Sequence, residues 1–229
     1  MAIFLYIDTA GEKAIVAISN DGQILALQEN VQANTHASFV QVAIEDAAKT
    51  AGIKLKDIDA VVVTMGPGSY TGLRVGLSSA KGIAYALDKP LIGLSTLTLL
   101  AQHASKNTQL VSNPSTQIFS MIDAKRMEVF GAIYKADKTV ILNEQPIILT
   151  EDYLKELLKN GPVVCVGNGA SKTKELIQDS NLILLEESYD IQDFIEISFI
   201  KWEQKQFEDL AYSRPSYLKD FYQKPPQTA

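Results

Sequence analysis

Apolar positions in the first hundred residues switch between period-two and helical spacing, and the switches predict a definite series of elements. Residues 3–8 (Ile-Phe-Leu-Tyr-Ile-Asp) read as a strand. Residues 13–19 read as a second, Asn20-Asp21-Gly22 as a hairpin turn, and residues 23–28 as a third. A helical pattern over 37–51 places Phe39, Val40, Ala43, Ala47 and Ala48 on one side and stops at Gly52. A β-branched run predicts a strand over 60–65, followed by a helix ending near Leu87 and a short strand over 91–94. Ser95 caps a further helix to about Ser105. The order β-β-β-α-β-α-β-α, opened by a hairpin, predicts a mixed sheet with helices on it; a plain doubly wound sheet does not start this way.

Residues 106–116 are polar and read as a connection, after which the series starts again. Strands are predicted over 117–123 and 127–134, a turn over 135–138 and an extended stretch over 139–149. Thr150 caps a helix to about Lys159, with Glu151 and Asp152 in its first turn. A strand over 163–166, a glycine-containing entry into a helix, a strand over 182–185 and a helix over 191–207 complete the set. The repeat is one of elements, not of residues. It predicts an α/β chain of two lobes, residues 1–105 and 106–207, with residues 208–229 packing back on the first.

Composition narrows the function. Of 229 residues 46% are hydrophobic, which suits a packed globular chain. A net charge of -6 argues against a general nucleic-acid binder. It leaves room for a local basic patch, and the tail Tyr212-Ser213-Arg214-Pro215-Ser216-Tyr217-Leu218-Lys219 is aromatic and basic. Cys165, the one cysteine, lies in the apolar run Val163-Val164-Cys165-Val166 and reads as a core residue. The first strand has no basic leader before it, and no apolar stretch reaches the ~18 residues of a membrane span. A cytoplasmic protein without a membrane partner is the expectation.

The segment Gly66-Pro67-Gly68-Ser69-Tyr70-Thr71-Gly72-Leu73-Arg74-Val75-Gly76 is the most informative. It is not a P-loop, since no Lys-Ser/Thr pair follows the last glycine, and it lacks the dinucleotide spacing. Pro67 followed by Gly68 fits a type II turn, and Ser69 or Thr71 can cap the helix. Gly72, Gly76, Ala80 and Ala84 then recur every four residues on one helix face. Such a face lets another backbone come close, either within its own lobe or in a partner chain; an anion at the helix start is the third use.

Asp8, at the end of the first strand, sits where actin-like ATPases keep an acid for a magnesium-bound water. The residues after it, Ala10-Gly11-Glu12, make a poor phosphate cradle, and a turn hydrogen bond is its expected role. His36 and His103 are the two histidines, without H-x-x-x-H spacing, so no zinc or iron site is expected. No G-x-S-x-G elbow is present. Residues 123–130 read as a solvated charged connection. Gly167-Asn168-Gly169-Ala170 suits either an anion at a helix start or a tight strand-to-helix turn.

Taken together, Ile7-Asp8-Thr9, His36, the Gly66–Gly76 run, Ile122-Asp123-Ala124 with Glu128-Val129-Phe130, Val166-Gly167-Asn168-Gly169 and Arg214-Pro215-Ser216-Tyr217-Leu218 resemble the TsaB (YeaZ) family. This family belongs to the TsaD/Gcp (glycoprotease-like) group and acts in tRNA threonylcarbamoyladenosine formation. The resemblance runs through essentially the whole chain. It implies an actin-like (ASKHA) fold of two RNase-H-like lobes and a non-catalytic subunit with no cofactor of its own, ATP belonging to its partners. Those implied partners are a TsaD paralogue, which carries out the transfer to tRNA, and the TsaE ATPase, with a homodimer when the chain is alone and tRNA reached indirectly. The implied interface lies on the helices near 36–51 and 71–86, at His36, Phe39, Val40, Ala43, Gly72, Leu73, Gly76, Ala80 and Ala84. Tyr70 stands where the family more often has Phe, and helix 36–51 lacks a proline frequent there. Two other readings are an ATP-dependent small-molecule kinase and a glycoprotease-like peptidase. The missing phosphate cradle disfavours the first, and the missing metal-ligand pair and nucleophile–base pair disfavour the second.

Overall fold

The computed structural model describes residues 2–31, 36–186 and 188–219. Strand β1 (Ile3–Asp8) is apolar up to its closing Asp8 and buried from Phe4 on, because it is central and covered on both faces. Around it lie β2 (Ala14–Asn20), β3 (Gln23–Asn30), β4 (Ala60–Gly66) and β5 (Leu91–Ser95), in the order β3-β2-β1-β4-β5. The two hairpin-linked neighbours on one side are antiparallel, and β4 and β5 on the other side are parallel. One face, with Leu5, Ile7, Val61 and Val63, packs under α1 (His36–Ala51) and α2 (Tyr70–Leu87). The opposite face, with Phe4, Tyr6 and Val62, receives Phe194 and Ile195 of α6 (Ile191–Glu203).

The second sheet repeats this topology. Its strands β6 (Gln117–Asp123), β7 (Glu128–Lys135), β8 (Val140–Ile148), β9 (Val163–Val166) and β10 (Leu182–Leu185) run β10-β9-β6-β7-β8. The short helices α4 (Glu151–Leu158) and α5 (Lys172–Leu176) lie outside. The inner face packs on α3 (Thr96–Ser105) through Leu97, Leu100 and Ala104 against Ile118, Val164 and Val166. Five layers result: α1/α2, sheet, α3/α6, sheet, α4/α5. Packing therefore cuts across a division at residue 105, since α3 follows the first sheet in sequence but covers the second, while α6 does the reverse.

Most elements fall within a residue or two of their expected bounds, and the caps at Ser95 and Thr150 are in place. The last helix ends four residues early, at Glu203 instead of 207. Lys205 has φ +53°, and the chain turns there to place Glu208 N–H on Leu91 C=O at 2.8 Å. The segment beyond lies along the first lobe, where Ser216 N–H donates to Met65 C=O at 2.7 Å. Lys219 crosses to Glu128 of the second lobe at 2.6 Å. Pro225-Pro226 lies outside the described residues. Among those described, no helix is long and apolar enough to cross a membrane.

Candidate functional site

The ends of β1 and β6 and the turns after β4 and β9 converge between the lobes on a cavity of about 940 Å³. Thr96, Leu100 and His103 of α3 and Tyr189, just before α6, complete its wall. Asp8 lines it and is buried. Its Oδ1 accepts Ala10 N–H at 2.9 Å and the Thr64 hydroxyl at 2.6 Å, and its Oδ2 accepts the Tyr189 hydroxyl at 2.9 Å. The Ala10 bond is the turn role expected of this residue. Burial, then the Asp8 charge and hydrogen bond, push the Tyr189 phenol well above its usual range, so it stays a donor. Both carboxylate oxygens are thus held by the chain itself, in bonds to a charged acceptor worth roughly 1.5–3 kcal/mol each.

The corresponding acid of the second lobe, Asp123, is closed differently. Lys172 Nζ donates to its Oδ1 and, at 2.7 Å, to Glu128 C=O, while Lys125 N–H adds a bond at 2.7 Å. The Lys172 ammonium holds the Asp123 carboxyl below the usual carboxylate range. Asn168 Oδ1 accepts Asp123 N–H at 2.8 Å, fastening the glycine turn to β6. A Cβ on Gly167, at φ +102°, would meet Met121 O at 2.2 Å. Close approach selects that glycine, and α5, five residues long, is a weak dipole.

The Gly66–Gly76 segment forms neither a phosphate cradle nor the expected type II turn. Gly66–Pro67 is a cis peptide, and the positive φ is at Gly66 (+104°), not at Gly68. Ser69 is the helix cap, accepting Gly72 N–H at 3.2 Å. Thr9 hydroxyl donates to Gly72 C=O at 2.6 Å. A Cβ on Gly72 would lie 2.0 Å from Thr9 O, and one on Gly76 2.3 Å from Thr9 Oγ1. The small-residue stripe therefore faces its own sheet.

This corrects most of the expected partner face. Gly72, Leu73, Gly76, Ala80 and Ala84 of α2 and Val40 and Ala43 of α1 are buried inside the first lobe. Phe39 is half-buried, and the His36 side chain lies outside what is described. The outward side of the pair instead shows Val42, 59% exposed, and a second small stripe, Ser78, Gly82 and Ala86, beside half-buried Val75 and Ile83. A Cβ on Gly82 would meet nothing within 4 Å. Gln41 Nε2 donates to Ser79 Oγ at 2.9 Å and ties the helices together.

Among the described residues, one trio, His103, Asp190 and Asp193, has metal-ligand proximity. A lysine ammonium already occupies the charge position: Lys106 Nζ is 2.8 Å from Asp193 Oδ1 and 3.0 Å from Glu196 Oε1. His103 Nδ1 lies 2.9 Å from Asp193 Oδ2, and Asp190 Oδ1 caps α6 through Gln192 and Asp193 N–H. The trio pins α3 to α6. Burial pushes the Cys165 thiol up to about 12, which leaves it an inert core residue.

Sequence reasoning missed Tyr189, Thr64 and Lys172, the groups that close the two acids. Nothing local marks them, since each partner is 49 or more positions away.

The family model described as "TsaD: tRNA N6-adenosine threonylcarbamoyltransferase" matches residues 23–220. The Escherichia coli K12 protein "tRNA threonylcarbamoyladenosine biosynthesis protein TsaB" is 31% identical over 223 residues, 94% of each chain. A "tRNA N6-adenosine threonylcarbamoyltransferase" of Clostridium perfringens is 48% identical over 65 residues, 28% of this chain and 19% of that one. The crystal structure "YeaZ from Pseudomonas aeruginosa" superimposes with a TM-score of 0.79 at 23% identity, over 95% of this chain and 100% of that one, and shares the fold.

Proposed function

The chain belongs to the TsaD family and acts in tRNA threonylcarbamoyladenosine biosynthesis, and we propose that within it the chain is a non-catalytic partner of a TsaD-type transferase. The closure of Asp8 carries this reading. A strand-end carboxylate serves a magnesium nucleotide only while its oxygens face the cleft, and here Tyr189, Thr64 and Ala10 take both. ATP then belongs to the partner proteins, a TsaE-type ATPase among them. The chain needs no cofactor, works in the cytoplasm and meets tRNA within the complex.

Docking uses the outward side of α1 and α2, where Ser78, Gly82 and Ala86 let a partner helix approach closely beside Val42 and Val75. The same side pairs two copies of the chain when the paralogue is absent. The test is native mass measurement of the chain, alone and mixed with a TsaD paralogue. Gly82→Arg and Val42→Arg are expected to keep the folded chain and abolish the complex. Arginine at Gly76 or Ala80 would test folding alone, because both are interior. An intact complex with both outward arginines would overturn the docking surface. Calorimetric binding of magnesium ATP to the isolated chain would restore the kinase reading.

A further inference from the structure

The tail and the flank of α2 away from α1 form a second surface, beside the proposed docking ridge. Tyr70, Arg74, Lys81 and Tyr85 share that flank by helical spacing. Lys81 Nζ donates to Ala211 C=O at 3.3 Å and Ser213 C=O at 3.0 Å, which sets Tyr212 beside the helix. Arg74 lies 4.0 Å from the centre of the Tyr70 ring and donates Nε–H to Tyr217 Oη at 3.0 Å. The rings of Tyr70 and Tyr217 are 5.5 Å apart. Tyr85 and Tyr212 are 81% and 85% exposed, large aromatic surfaces left in water.

Charge separates this surface from the rest of the molecule. The chain holds 27 acidic residues, yet residues 60–87 contain none, and neither do residues 210–219, which carry Arg214 and Lys219. Asp88 and Asp209 stand at the margins, and Lys219 is spent on Glu128. Arg74, exposed, stacks on Tyr70 and gives its Nε–H to Tyr217, with four further N–H donors on its guanidinium.

We propose that this flank is an RNA contact surface, on which tRNA stacks unpaired bases against Tyr85 and Tyr212 and sets phosphates on Arg74 and Arg214. Flat aromatic faces alternating with guanidinium groups, free of carboxylates, match single-stranded RNA in stacking and in charge. The proposal rests on the family's tRNA pathway and not on the docking surface, which lies along the ridge of Ser78, Gly82 and Ala86.

The test measures fluorescence anisotropy of a labelled, unmodified tRNA transcript titrated with the full chain at low and moderate salt. Saturable binding in the micromolar range that weakens with salt is expected. The double variant Tyr85→Ala/Tyr212→Ala should weaken it about tenfold, Tyr85→Phe/Tyr212→Phe should keep it, and Arg214→Ala should lower the salt dependence. Absence of saturable binding, or equal binding by the double alanine variant, overturns the proposal. Loss of the TsaD complex by that variant, with tRNA binding intact, also overturns it and makes the flank a protein interface. Failure of Gly82→Arg to break the TsaD complex bears on docking alone.

Discussion

The two lobes share one strand order and differ in what stands at their strand ends. In the first, helices of 16 and 18 residues cover the sheet, α1 through apolar side chains and α2 also through Gly72, which closes on the Thr9 carbonyl. In the second, the outer helices have 8 and 5 residues and meet the sheet through side chains, and the close glycine contact, Gly167 on Met121 O, is in the turn before α5 and not on a helix face. The acids at corresponding positions, Asp8 and Asp123, are closed by neutral donors in one case and by a lysine in the other. One topology thus gives a platform with a buried acid held by neutral donors, and a lighter lobe whose acid is in an ion pair. The platform is the lobe whose helices carry the proposed docking face.

The largest expected effect tests the difference in packing. Gly72→Ala drives a Cβ into Thr9 carbonyl oxygen at 2.0 Å, and backbone at the lobe centre cannot retreat. A loss above about 4 kcal/mol, or failure to fold, is expected in urea unfolding. At Gly169 the added Cβ meets Val129 Cγ1 at 2.9 Å, a side-chain tip that can shift, and only tight contacts at Met121 Cβ, 3.1 Å, and Ile122 C, 3.2 Å, so about 1–2 kcal/mol is expected for Gly169→Ala. Equal losses would show that the two interfaces are equally rigid.

A smaller effect separates the two acids. Tyr189→Phe removes one donor from buried Asp8 and should cost about 1.5–3 kcal/mol. Lys172→Met breaks a pair whose aspartate is 30% exposed, and should cost only about 0.5–1 kcal/mol. Their pH signatures are opposite. The Asp123 carboxyl is depressed in the folded chain, so its contribution is present above the unfolded value near 4 and is lost on acidification. The gap between wild type and Lys172→Met should therefore close below about pH 4. The Tyr189 phenol is raised, so its contribution is present below the unfolded value near 10 and is lost as pH climbs past it. Wild type should lose stability more steeply than Tyr189→Phe there. Matching pH profiles would erase the distinction between the lobes.

The element series was legible because each sheet face and helix stripe imposes its own hydrophobic period, and the element-level repeat announced two lobes of one topology. The direction of the α2 stripe was not legible. Gly72 and Gly76 record only that something comes close; they carry no mark of whether it is Thr9 of the same chain or a neighbour's helix. Outward Ser78, Gly82 and Ala86 have the same spacing and small size, and only the packing of Leu73 and Leu77 on the sheet decides between the faces. Gly66-Pro67-Gly68 misled through residue type: both glycines suit a turn, but Gly68 is glycine because Ala10 O would lie 2.4 Å from its Cβ. The exchange of α3 and α6 between the lobes left no trace in the pattern, since a helix with an apolar stripe fits either sheet.

The smallest effect concerns the carboxylate where the lobes meet. Glu144, on β8 of the second lobe, accepts the hydroxyl of Ser95, the cap of α3 at the end of the first sheet. Burial raises its pKa, against the pull of the Ser95 hydrogen bond and the Lys201 charge. The folded chain therefore holds the proton more tightly than the unfolded chain does. The contribution to stability is full below the unfolded value near 4.3 and declines as pH rises through the folded one. Glu144→Gln holds the neutral form and keeps an acceptor for Ser95. The variant should be more stable than wild type at pH 7, by less than about 1 kcal/mol. The two should converge near pH 4 in thermal unfolding. A variant less stable at pH 7 would mean that the charged hydrogen bond outweighs burial, and would make Glu144 a tie between the lobes.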